Sequence, residues 1–349
     1  MVPFAGWEMP VQYTGLVDEH HAVRKAAGLF DVSHMGELDL RGEHAVAVVD
    51  WLVTNDISKL DDGHAIYTLC CNPEGGVHDD LIVYRAARDR VLVVCNGANR
   101  DKIVGVFREA AKDHCEFTDR TDETALVALQ GPKAWEILGK AGDVGALAKK
   151  PAYSFDEARL FNVDCTVART GYTGEDGCEI FMPWGEADRV WNALLEVGKE
   201  HGLKPAGLGC RDTLRLECKM PLYGQELAED INPLEAGLSW AVKFDKGNFV
   251  GRDALLRVKE KGLPRKLVGI EMVGRGIARH GYDVRASEAG EKVGFVTSGS
   301  PSPTTGKNIG LAYVPAALSA LGQKLFVDCR GKDVEAVVVK TPFYKRAGR

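Results

Sequence analysis

GGVHDDLIVY, residues 75–84, is the stretch on which the fold turns. Two glycines supply a tight turn, and an apolar, β-branched run follows directly after two acids. Side chains alternate along a strand, so His78, Asp80, Ile82 and Tyr84 share one face while Asp79, Leu81 and Val83 share the other. Apolar residues on both faces predict a strand covered on both sides. A carboxylate entering such a strand is paired, protonated or used. One acid is expected to stay at the wet end of the turn and the other to point into a cavity beside Tyr84. A hairpin whose acids merely cap the turn fits the same pattern.

Working outward, Ala45, Val48, Val49 and Leu52 recur at helical spacing, which predicts an amphipathic helix over 43–52. Strands are expected at 65–70 and 90–95 on either side of the central one, separated by the turn signals NPEGG and ARD. With a further helix over 100–112, this order predicts an antiparallel sheet with helices laid on it. A strand at 124–129 runs into Gly131-Pro132, where proline suits the first turn of a helix over 133–141. Val190, Leu194 and Val197 mark a helix over 185–202 that ends at a glycine. The charged segment KEKGLPRK, 259–266, is the clearest boundary. Beyond it come short β-rich runs at 267–272, 292–297, 309–314, 324–327 and 334–339. They read as an all-β barrel or sandwich of about 80 residues.

Composition excludes several classes. With 349 residues, 45% hydrophobic and 27% charged, the chain reads as a globular protein of two or three domains. A net charge of −6 argues against a general nucleic-acid binder, whose footprint is a basic face. No apolar run approaches the ~20 residues of a membrane-spanning helix. The opening MVPFAGWEMP lacks the pattern of a secretory or transit signal. Nine cysteines in no regular framework suit a reducing cytoplasm. No Cys/His set has zinc-ligand spacing, so no metal is expected.

Three further segments bear on chemistry. In RTGYTGEDGCEIF, 169–181, glycines force sharp turns flanked by Tyr172 and Glu179. No Lys-Ser/Thr follows and two acids sit in the turn, so it is not a phosphate loop; a hairpin with an acidic turn is the plain alternative. In LGCRDTLRLECKMPLYGQE, 208–226, Arg211, Asp212, Arg215 and Glu217 fall within two helical turns. They read either as a surface ion-pair ladder or as an arginine fork for a carboxylate or heteroaromatic ring. VTSGSPSPTT, 296–305, reads as a connector.

Taken in order, these segments closely resemble the glycine cleavage T-protein (aminomethyltransferase) family. The landmarks are VPFAGWEMPVQY (2–13), GLFDVSHMGE (28–37), GGVHDDLIVY, ALQGP (128–132) and RTGYTGEDGCEI (169–180). GLGCRDTLRLE (207–217), MPLYGQE (220–226), TSGSPSP (297–303) and the terminal TPFYKR complete them. The family usually carries some further residues before VPFAGW, so the start of this chain is expected to be misassigned or shortened. Cys218-Lys219 stand where the family more often has small residues.

The resemblance implies an α+β fold of three domains in a cloverleaf-like arrangement, with antiparallel sheets, helices and a C-terminal β-barrel-like domain. The expected domains are 1–50 with 130–230, a ferredoxin-like unit of 51–129 with 231–258, and 265–345. It implies transfer of an aminomethyl group from the lipoyl arm of a carrier, the H-protein, to tetrahydrofolate, releasing ammonia and forming 5,10-methylenetetrahydrofolate. Asp80 matches the family's key aspartate, expected to orient the accepting amine and stabilise its developing positive charge. Asn96, Glu179 and Arg211 match folate-contacting positions. Met35, Tyr67, Tyr84 and Tyr172 match pocket walls, with Tyr153 and Tyr344 or Arg346 as further members. No metal, nucleic acid or membrane is implied.

Two other readings share this fold. One is a tetrahydrofolate-dependent demethylase acting on a small methylated compound; GYTGEDG and CRDTLRLE fit the glycine-cleavage branch better. The other is a non-enzymatic folate-binding protein of iron–sulfur maintenance, marked by a reactive cysteine in K-G-C-Y-x-G-Q-E. Here KMPLYGQE has none.

Overall fold

A computed structural model describes residues 1–347 and divides into two compact units. The first comprises 1–71, 78–211 and 241–250; the second comprises 72–77, 212–240 and the chain from 251 onward.

The first unit holds two sheets. One contains, in spatial order, Phe155–Leu160, Val163–Ala168, Gly177–Pro183, Thr124–Gln130, Ala27–Asp31 and Leu203–Pro205. All of its pairs are antiparallel except the last, where Leu203–Pro205 runs parallel to Ala27–Asp31. Helices Ala134–Leu138 and Ala187–Gly198 bury Ile137, Leu138, Val190 and Leu194 against one face.

The second sheet runs His64–Cys71, Val77–Ala87, Arg90–Cys95, Gly36–Arg41 and Glu116–Asp119. Helices Ala45–Leu52 and Arg100–Ala111 pack Val48, Val49, Leu52, Ile103 and Phe107 onto its Leu38, Leu40, Leu81 and Val83 side. The opposite side carries Ile82, Tyr84 and Val94, which meet Phe155, Ala168 and Phe181 of the first sheet. The central strand is therefore covered on both faces, as its composition requires. This sheet begins at Gly36, within the stretch expected in the domain of 1–50, and the strand at 124–130, most of it expected in 51–129, lies in the other sheet.

The strand begins at Val77, so both acids lie inside the ladder rather than at the wet end of a turn. The expectation for one of them is thereby corrected. The two glycines form the turn itself. Gly75 has φ +87°, and a Cβ on Gly76 would stand 1.7 Å from the Glu229 carbonyl oxygen, which only glycine tolerates. Asn72 closes the turn by accepting from the Gly76 N–H at 2.8 Å.

In the second unit, Gly262 (φ +84°) ends helix Arg252–Lys261, and the first barrel strand begins at Arg265. Six antiparallel strands close into a barrel in the order Arg265–Met272, Asn308–Pro315, Lys292–Pro301, Asp283–Arg285, Lys324–Asp328 and Asp333–Val339. Val334, Ala336 and Val338 turn inward with Ile270, Val296 and Leu325 to fill it. Asp283–Arg285 escaped the sequence reading because three residues carry too little alternation to register. Among the described residues no helix is long and apolar enough to cross a membrane.

Candidate active site

The acid-bearing strand places Asp79 and Asp80 on opposite faces. Asp79 is fully buried on the helix-covered side. Asp80 is half-buried and turned to the Tyr84 side. Its Oδ1 accepts from Asn96 Nδ2 at 2.8 Å and its Oδ2 from the Tyr67 hydroxyl at 3.1 Å. Burial first, and the Asp80 charge second, push the Tyr67 phenol well above its ordinary range, so it remains a donor. Asn96 follows the Arg90–Cys95 strand, and its Nδ2 also donates to Asp79 Oδ1 at 2.8 Å. A Cβ on the next residue, Gly97, would stand 2.2 Å from the His34 carbonyl oxygen. That glycine lets the segment bearing Met35 pack beside Asn96.

Tyr84 is buried between the rings of Phe155 and Phe181, at 5.4 and 5.6 Å. Its hydroxyl lies 3.4 Å from Thr170 Oγ1, which in turn donates to Glu179 Oε2. Burial pushes the Glu179 carboxyl up, while the Thr170 hydroxyl and the Arg211 charge pull it back down. Tyr153 adopts φ +65°, a conformation that bulky side chains rarely take. Its carbonyl accepts from the Ala65 N–H at 2.6 Å and its N–H donates to the Arg169 carbonyl, which joins the edges of the two sheets.

Arg211 lies near the start of helix Leu208–Glu217, with its guanidinium 4.6 Å above the Tyr172 ring. The start of this helix is fastened to the N-terminal motif. Leu208 and Gly209 N–H groups donate to the Pro10 and Val11 carbonyls, and buried Glu19 accepts from the N–H groups of Tyr13, Thr14, Gly15 and Gly207. The Tyr172 loop is pinned as firmly. Gln130 Nε2 donates to the Thr170 and Cys178 carbonyls, and Gln130 Oε1 accepts from the Thr173 hydroxyl. Its two acids are not a bare acidic turn: Arg24 holds Glu175 and Arg169 holds Asp176.

Four of the nominated positions thus share the Asp80 side of the strand or its immediate neighbours: Asp80, Tyr67, Asn96 and Tyr84. Met35, Tyr153 and Phe181 complete the packing around Tyr84. Glu179, Arg211 and Tyr172 form a second cluster joined to Tyr84 through Thr170. Tyr344 belongs to the second unit, where its N–H donates to the Glu217 carbonyl at 2.9 Å.

Two readings change. The ion-pair ladder on the 208–217 helix is not a surface feature, because Arg215 is 1% exposed and pairs with Glu226, which is fully buried. The 296–305 stretch is not a plain connector either. Ser298 accepts from Arg215, and Ser302 and Thr304 donate to the buried carboxylate of Glu217. Contacts between distant segments left no local pattern from which to infer either arrangement.

Other residues escaped the sequence reading altogether. His34 is buried edge-on against Phe4, and burial followed by the Arg211 charge push it down to about 3, so it stays neutral. Glu37 is pushed up to about 8 by burial. It lines a cavity of about 390 Å³ with Leu92, Arg120, Thr166 and Phe181. Tyr84 also lines that cavity, whereas Asp80, Tyr67 and Asn96 do not. Among the described residues no group of three or more His, Cys, Asp or Glu side chains is placed to hold a metal.

Comparison with known proteins defines the class. Residues 1–246 match the family profile described as GCVT N-terminal domain, and residues 265–345 match the glycine cleavage T-protein C-terminal barrel domain. The chain belongs to the glycine cleavage T-protein family. It is 52% identical over 347 residues to an aminomethyltransferase of Caldanaerobacter subterraneus subsp. tengcongensis, covering 99% of this chain and 92% of that one. A Geobacillus thermodenitrificans aminomethyltransferase is 50% identical, with coverage of 99% and 94%. The crystal structure of the glycine cleavage system aminomethyltransferase T from Bartonella henselae superposes with a TM-score of 0.92 at 34% identity, covering 99% of this chain and 94% of that one. The particular activity is accordingly that of an aminomethyltransferase of the glycine cleavage system.

Proposed function

We propose that the Asp80 cluster is where tetrahydrofolate accepts the one-carbon unit carried by the aminomethyl-lipoyl arm of the H-protein. Ammonia leaves and 5,10-methylenetetrahydrofolate forms. The observation that carries this reading is a half-buried carboxylate whose oxygens accept from fixed donors, Oδ1 from Asn96 and Oδ2 from Tyr67. Such a carboxylate is oriented before the substrate arrives. Positive charge grows on the accepting amine during transfer, and an oriented anion stabilises it without reorganising.

The neighbouring groups suit a pterin by type. Glu179 accepts, matching the donor edge of the ring, and Tyr84, Tyr153, Tyr67 and Met35 supply aromatic and apolar walls. Asn96 acts mainly through Asp80, since both Nδ2 hydrogens are directed at the acids. Arg211, with its guanidinium held over the Tyr172 ring, presents its remaining donors to a polar or anionic portion of the folate. The three-domain division at 1–50 with 130–230, 51–129 with 231–258, and 265–345 belongs to the same proposal. The last part is supported by the barrel and its family match. A cytoplasmic location is supported by nine free cysteines.

Incubating the chain with aminomethyl-lipoyl carrier and tetrahydrofolate is expected to release ammonia. Release only from methylated sulfur or amine donors, or none, overturns the reading. Arg211→Ala is expected to weaken folate binding about 10- to 100-fold, the range of a lost hydrogen bond to a charged group. An equilibrium titration unchanged by that substitution limits Arg211 to stacking on Tyr172.

A further inference from the structure

Asp79 occupies a position where the rest of the strand calls for an apolar residue. It shares its face with Leu81 and Val83, which pack under two helices, and it is fully buried. Burial and the adjacent Asp80 charge both push its carboxyl up, so ionisation there is opposed on two counts. A leucine would fill the same space at lower cost.

Its contacts explain the choice. Asp79 Oδ2 accepts from the Asn96 backbone N–H at 2.9 Å, and Oδ1 accepts from Asn96 Nδ2 at 2.8 Å and Asn99 Nδ2 at 2.6 Å. All three facing groups are donors, and only a carboxylate offers acceptors on both of its terminal atoms. Asn96 is thereby gripped at two points, backbone and side chain. With one Nδ2 hydrogen held by Asp79, the other is directed to Asp80 Oδ1 at 2.8 Å.

We propose that Asp79 is a positioning residue for the transfer reaction, holding Asn96 so that its amide fixes the Asp80 carboxylate. The inference rests on the reading of Asp80 as the group that meets the reacting amine. Asn99 locks the third side of Asp79 from the turn Gly97–Asn99. The amide orientation follows from the flanking acids, because turning it over would place its carbonyl oxygen between two carboxylates.

The test compares Asp79→Asn, Asn99→Ala and Asp80→Asn in the full chain. It reads kcat for ammonia release at saturating carrier and folate, folate Kd by titration, and water exchange of the ¹⁵N-labelled Asn96 side-chain amide. Asp79→Asn turns an NH₂ group toward one of the three donors. It is expected to lower kcat tenfold or more, leave folate Kd within about twofold and speed amide exchange. Asn99→Ala is expected to act in the same sense but less, and it keeps the test decisive if Asp79→Asn fails to fold. The proposal is overturned if these two variants keep normal kcat while Asp80→Asn is inactive. It is equally overturned if their loss of kcat is matched by loss of folate affinity, the mark of a merely structural role. Normal turnover in Asp80→Asn instead removes the reading of Asp80 itself.

Discussion

Asp80→Asn is expected to lower ammonia release by at least about a hundredfold while the chain stays folded and folate still binds. The magnitude follows from what one preorganised stabilising group contributes at a centre of developing charge, roughly 10²–10³ in rate. The asymmetry between turnover and binding follows from timing. The substrate amine is neutral in the ground state, so a carboxylate gains most of its interaction as the transition state forms. The substitution is nearly isosteric. It turns an NH₂ toward either the Tyr67 hydroxyl or Asn96 Nδ2, and the half-exposed position lets water repair that mismatch. Single-turnover ammonia release and folate titration on the same preparation check the two halves. Turnover within threefold of the parent refutes the electrostatic role.

Arg215→Ala is expected to have the largest effect on stability, about 3–5 kcal/mol, because it strands a buried charge. Arg215 donates to Glu226 Oε2 at 2.7 Å, to Asp212 Oδ1 at 2.7 and 2.8 Å and to Ser298 Oγ at 2.8 Å. Glu226 has no exposed surface, so water cannot replace the lost guanidinium. Glu226 also accepts the Leu222 N–H, which ties the loop after the helix to the same pair. Replacing both partners together, Arg215→Met with Glu226→Leu, is expected to recover most of the loss, since no lone charge remains. Urea unfolding of the single and double variants decides the matter. A single-variant loss below about 1 kcal/mol would show that the pair is solvated after all.

Local signals carried much of the fold. The 90–95 strand falls where the turn signals placed it, and the helix observed as Arg100–Ala111 differs from its expectation by one residue. Period and turn chemistry act over a few neighbours, so they survive in a sequence without knowledge of distant contacts. The helix expected over 133–141 shrinks to Ala134–Leu138. The 185–202 helix becomes Ala187–Gly198 followed by a tight turn to Gly202 (φ +78°). Ends are set by packing and capping, which periodicity does not encode.

The amino-acid order by itself determined that two acids enter a strand apolar on both faces, that a β-rich module begins just beyond residue 262, and which family motifs the chain carries. Tertiary structure alone decided that Asp79 is sealed among Asn96 and Asn99 while Asp80 faces Tyr67, and that Arg215 lies inside rather than on a surface. The physical reason is range. Alternation assigns opposite faces to neighbouring residues, but which face meets helices and which meets the first sheet depends on segments tens of residues away.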